Sequence, residues 1–126
     1  MNKIISKKRL KDISKDFENC TVFSNSHDLK LVFSDCTILF EEPLVYKFGY
    51  PNNEVSHYTN VAKAIEAEDL VLYKLKDTEW IKSIIKLNSN HPKHSDKLFE
   101  SFYHFLIFFE DNTFECLATD YKIIQS

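Results

Sequence analysis

Glycine is nearly missing from this chain: Gly49 is the only one. Phosphate-cradling loops need repeated glycines, because only a residue without a Cβ lets the backbone close on a phosphate. The P-loop and the dinucleotide fingerprint are therefore excluded. So is a GxSxG nucleophile turn. Arginine is equally scarce, with Arg9 alone among the basic residues and the rest lysine. Arginine forks are the usual bidentate readers of phosphate and guanine, and the net charge is −3, so no nucleic-acid partner is expected. The three cysteines, Cys20, Cys36 and Cys116, are odd in number and widely spaced, with no CxxC. Neither a disulfide framework nor a zinc site of standard spacing fits them. No cofactor and no metal are expected. No apolar run approaches the roughly 20 residues that span a bilayer, and the charged start MNKIISKKRLKD leads into no apolar segment. No membrane partner is expected, and the cytoplasm is the expected compartment.

What is present is ordinary for a folded domain, apart from the aromatics. Hydrophobic residues make up 44% and charged residues 28%, with 11 Phe and 6 Tyr. A chain of 126 residues is long enough for one domain, 1–126, with a core of its own. The apolar positions Leu10, Ile13 and Phe17 recur at helical spacing and predict a helix over 5–17. Its basic residues, Lys3, Lys7, Lys8, Arg9, Lys11 and Lys15, read as a solvated helix face. Short β-branched and aromatic runs follow: CTVF (20–23), LKLVF (29–33), CTILF (36–40) and LVYKF (44–48). Ser-Asp and Glu-Glu-Pro separate them, as in a meander. Residues 49–60 read as a loop, and 60–69 as a short helix capped by Thr59 or Asn60. LVLYKL (70–75) is a strand. Asp77 then caps a better helix in which Trp80, Ile81, Ile84, Ile85 and Asn88 recur at three- and four-residue spacing.

The C-terminal part predicts two long strands, 102–110 and 113–124, hinged at Asp111-Asn112. Both parities of the first are apolar, so it is buried on both faces and central. The fold class expected is α+β: a mainly antiparallel β-sheet packed against two or three helices, with this hairpin at its centre.

Three histidines, His91, His94 and His104, and the carboxylate of Glu115 are the candidates for metal or acid–base chemistry. Pro92 disfavours a helical His91, so His91 and His94 need not share a face. A two-residue turn at Asp111-Asn112 would set Glu115 opposite Phe108 and ~13 Å along the strand from His104. At that separation the pair makes no hydrogen bond, and the histidines read as structural. Cys116, between apolar neighbours, reads as an inert buried thiol. The remaining polar signal is acidic: Glu41 and Glu42, then Glu66, Glu68 and Asp69, then Glu110 and Asp111. These carboxylates form the expected partner-binding surface, suited to a basic protein.

Two resemblances bear on function. The stretch from Trp80-Ile81 through Asn88, His91-Pro92, His104 and Asp111 to Phe114-Glu115-Cys116 resembles a pattern in small uncharacterised bacterial proteins. It departs from that pattern at Glu110-Asp111-Asn112, where a His-Asp-Ser turn would stand. In size, acidity and lack of cofactor motifs the chain is similar to the immunity proteins of polymorphic toxin and contact-dependent growth inhibition systems. That resemblance implies a non-catalytic protein that binds and occludes a basic toxin domain such as a nuclease. The alternatives are an interaction or scaffold domain of another bacterial complex, and a small His-dependent metal-binding enzyme.

Overall fold

The computed structural model describes residues 3–15, 20–25, 27–49, 68–89, 100–109 and 112–125. Nine strands and one α-helix run in the order β1 (Lys3–Arg9), β2 (Thr21–Ser24), β3 (Leu29–Val32), β4 (Cys36–Glu41), β5 (Val45–Gly49), β6 (Val71–Lys76), α1 (Glu79–Asn88), β7 (Tyr103–Phe108), β8 (Thr113–Ala118) and β9 (Asp120–Gln125). They form two antiparallel sheets, a five-stranded one ordered β1-β6-β7-β8-β5 and a four-stranded one ordered β2-β3-β4-β9. The expected α+β arrangement is therefore corrected. A second sheet, not a set of helices, covers the inner face of the first, and α1 is the one α-helix among the described residues.

Alternation explains why the second layer is a sheet. In β4 the side chains of Cys36, Ile38 and Phe40 are buried while Thr37, Leu39 and Glu41 are not; β3 likewise buries Leu29 and Leu31. Such period-2 strands have one apolar face and must lay it on another apolar face. They meet Phe105, Ile107, Phe114, Cys116 and Ala118 of β7 and β8 in one shared cluster. Phe40 lies at its centre, with ring centroids 5.4 Å from both Phe105 and Phe114.

Two strands cross between the sheets at one corner. β4 runs into β5, and β8 runs into β9. The expected single strand 113–124 thus breaks at Thr119 and divides between the two sheets. Between the pairs Glu41↔Asp120 and Val45↔Leu117 one side spends three residues, 42–44, where the other spends two, 118–119. That is a β-bulge, which bends a strand strongly enough to change sheets. Glu42 supplies the bend with φ 50°. Thr119 N–H donates to the Glu41 carbonyl at 2.9 Å and Leu44 N–H to the Leu117 carbonyl at 2.8 Å, so the ladder closes on both sides of the corner.

The expected helix over 5–17 is also corrected. Residues 3–9 form edge strand β1, paired with β6, followed by one 3-10 turn, Leu10–Asp12. Leu10 and Ile13 are buried as their spacing predicted, but they cap the inter-sheet core from a turn. Helical periodicity over so few positions is a weak signal, and long-range pairing with β6 overrides it. The proposed helix over 60–69 lies outside the described residues except for Glu68 and Asp69, which stand in the turn before β6. α1 forms where its periodicity put it, with Trp80 and Ile81 buried. Its cap is Thr78, not Asp77: Thr78 is extended, and its hydroxyl accepts from the Ile81 N–H at 3.4 Å. Asp77 precedes it in the left-handed region, at φ 60°.

Candidate functional site

The outer face of the five-stranded sheet carries the chain's fully buried ionisable pair. His104 on β7 and Glu115 on β8 are both 0% exposed, and His104 Nε2 lies 2.6 Å from Glu115 Oε1. The expected ~13 Å separation is corrected by the hairpin register. Phe108 pairs with Thr113, and Phe109 N–H donates to the Asn112 carbonyl at 2.8 Å. Glu115 therefore faces Leu106, not Phe108, and is the diagonal neighbour of His104. The slip is two residues, so the face is unchanged, but the carboxylate moves one full pleat repeat towards the imidazole.

The other ring nitrogen reaches the helix. His104 Nδ1 stands 2.8 Å from Thr78 Oγ1, the cap of α1. One proton arrangement uses each donor once: Ile81 N–H donates to the Thr78 hydroxyl, that hydroxyl donates to Nδ1, and Nε2–H donates to the Glu115 carboxylate. Trp80, in the first turn of α1, sets its ring edge-on to His104 at 5.0 Å. Lys47, the cross-strand partner of Glu115 on β5, holds its ammonium 4.5 Å from the Trp80 ring centroid. Helix cap, imidazole, carboxylate and indole thus form one stack, closed on the strand side by Lys47.

The carboxylate is only half satisfied. Glu115 Oε2 is buried and has no hydrogen-bond partner among the described residues. A buried imidazole–carboxylate pair can in principle shuttle a proton. Here both groups are fully buried and neither meets solvent. Sequence reasoning named His104 and Glu115 but missed Thr78 and the contact itself. Thr78 lies directly after Asp77, the more obvious cap, and the contact depends on a register that no turn residue specifies. His91 and His94 lie outside the described residues. Among the described residues no three His, Cys, Asp or Glu side chains are grouped to hold a metal ion.

The thiols are quiet. Burial pushes the Cys20 thiol up to about 11. Burial raises Cys116 well above the ordinary range, with the Glu115 charge adding to it, and burial then Asp35 raise Cys36. A raised pKa leaves little thiolate for nucleophilic attack.

The predicted acidic surface is divided. Glu41 and Glu42 stand at the corner where β4 turns into β5, beside Asp120, and Glu41 pairs with Lys122 at 3.1 Å. Glu68 and Asp69 stand at the opposite end of the five-stranded sheet. There they share a surface pit of about 250 Å3 with Arg9, Lys11, Leu70 and Val71. Glu66, Glu110 and Asp111 lie outside the described residues. No family model matches the chain, and neither a curated protein nor a solved structure shows significant similarity to it.

Proposed function

We propose that this chain is a non-catalytic protein-binding domain that neutralises a basic toxin domain by covering it, as an immunity protein does. The observation that carries the reading is the outer face of the four-stranded sheet. Cross-strand rows run Val32–Thr37–Ile124 and Phe23–Lys30–Leu39–Lys122. Phe23 is 47% exposed, Val32 37% and Ile124 50%, and among the described residues no element packs over them. Exposed apolar side chains set among polar ones on an uncovered sheet face suit a partner site. The two lysines within it are already engaged, Lys122 by Glu41 and Lys30 by the Phe23 ring at 5.6 Å. The carboxylates of Glu41, Glu42 and Asp120 edge the face at one end, Glu41 already paired with Lys122 and Asp120 with Lys74 at 3.4 Å. A mixed apolar and polar face with carboxylates at one end suits a basic partner, whose approach those carboxylates would steer. The sealing of His104 and Glu115 beneath α1 weighs against the alternative of a His-dependent enzyme.

Co-expression with the protein encoded by the upstream neighbouring gene tests the reading. The expected result is a toxic neighbour that co-purifies one-to-one and is silenced by this chain. Phe23→Glu with Ile124→Glu, and separately Glu41→Lys with Glu42→Lys, should each weaken the complex without lowering Tm. A harmless neighbour, or protection that survives both pairs of substitutions, overturns the proposal. A complex with a harmless partner would favour the scaffold-domain alternative.

A further inference from the structure

A run of positive charge lies on β1, away from the sheet face above. The stretch from residue 3 to residue 11 holds Lys3, Lys7, Lys8, Arg9 and Lys11 and no acidic residue. It was expected on a solvated helix face; it is instead an edge strand of seven residues, exposed throughout. None of these cations enters an ion pair among the described residues. β1 is hydrogen-bonded to β6 on one side and, among the described strands, is terminal in its sheet on the other. Its neighbour on β6 adds to the charge, since Lys3 pairs with Lys76. Between the charges Ile4 and Ile5 are 41% and 42% exposed.

We infer that the free edge of β1 is a docking site for an extended acidic segment of a partner protein, which adds as a further strand. Three features select that occupant. The ladder with β6 slips by one residue at Ile5 and is regular from Ser6 to Arg9, and over that stretch the edge offers alternating N–H and C=O groups that another extended backbone satisfies. The register places Lys7 and Arg9 beside Tyr73 and Val71, and Lys8 beside Leu72, so cations project on both faces of the strand. An acidic strand with carboxylates on both faces would meet them. Ile4 and Ile5 give its apolar side chains a place to rest. Lysine on an edge is also a device against unwanted pairing, and here it acts as a filter. A second copy of this chain centred on Ser6 would set Lys3 against Arg9 and is rejected by like charge. Asp12 and Glu68 line one pit with Lys7, Lys8 and Arg9, and Glu68 and Asp69 line another with Arg9 and Lys11, so these carboxylates moderate the charge towards the C-terminal end of β1 without pairing with it.

The probe is a short blocked peptide alternating glutamate with valine, matched in length to β1 and labelled for fluorescence anisotropy. Its lysine-for-glutamate analogue and a single-stranded oligonucleotide of equal charge serve as comparators. Saturable binding of the glutamate peptide is expected, with new hydrogen-exchange protection of β1 amides. Lys7→Glu with Lys8→Glu should weaken it about tenfold, the size of a few exposed ion pairs, at unchanged Tm. Lys7→Ser with Lys8→Ser gives the same test without added repulsion. No saturable binding overturns the inference. So does binding without protection of β1, which would be charge attraction alone. Tighter binding of the oligonucleotide overturns it in favour of a nucleic-acid surface.

Discussion

His104 and Glu115 are a buried ionisable pair whose net contribution to stability is small beside the cost of breaking it. Burying an imidazole and a carboxylate together costs desolvation that their attraction only roughly offsets. Removing one partner leaves the other stranded, which typically costs ~3–5 kcal/mol. His104→Ala and Glu115→Ala are each expected to lose stability of that order, measured by urea titration. His104→Phe with Glu115→Leu should recover most of it, because the pair is then replaced by apolar groups of similar bulk. Additive losses in the double variant would refute the coupling. Asp35 makes a second, more exposed link. Its carboxylate accepts from the Lys15 N–H at 2.8 Å and from the Ser14 hydroxyl, tying the turn after β1 to the β3–β4 turn. Those bonds, the Lys15 N–H first, hold its pKa below the usual 3.8. With a depressed folded-state pKa, this stabilisation is present above the unfolded value and lost as pH falls through the folded one. Asp35→Asn should therefore lower Tm at pH 7 and flatten the fall of Tm below pH 4. An unchanged acid profile would show that Asp35 contributes nothing to it.

At the scale of elements, the near-absence of glycine has a cost. Glu42, Leu70 and Asp77 all take positive φ, at 50°, 59° and 60°, where a Cβ crowds the backbone. A non-glycine residue there costs roughly 1–2 kcal/mol, and glycine returns part of that gain as unfolded-state entropy. Glu42→Gly and Asp77→Gly should each be neutral to about 1 kcal/mol stabilising, whereas Leu70→Gly also loses its packing on the inter-sheet core and should destabilise. Chemical denaturation of the three variants separates the outcomes, and a clear loss at Glu42 or Asp77 would refute the strain. The same positions mark where the sequence was readable. α1 stood out by its helical period, and β2 to β6 as short β-prone runs with polar flanks. The C-terminal hairpin was legible as central and buried on both faces. The turn at β1 and the break at Thr119 were not. Residues 3–17 mix both periods, and 113–124 is uniformly β-prone, so nothing local marks the point where the chain leaves one sheet for the other. The dyad was half legible: its residues could be named, but its contact turned on a two-residue register that only the closed hairpin sets.

For the whole molecule, the pairings that close each sheet are the most distant in sequence. Lys3 pairs with Lys76, and Cys36 with Gln125. Neither sheet can be completed until almost the whole chain has been gathered, and loop-closure entropy must be spent before those pairs return anything. β7 and β8 are joined by a short turn and supply buried side chains to both faces of their sheet, so they are the natural place to begin. Such topologies fold in roughly milliseconds to seconds, far slower than helical bundles of equal size. Trp80 offers a direct probe, being the sole tryptophan and lying against His104 on the outer face of the five-stranded sheet. In stopped-flow refolding its fluorescence should change with the same single rate as the far-ultraviolet circular dichroism of the sheets, because α1 has no face to dock on until β7 and β8 have paired. A Trp80 phase that runs ahead of sheet formation would mean that the helix finds its place first, and that the hairpin register is imposed by the Thr78–His104 contact rather than the reverse.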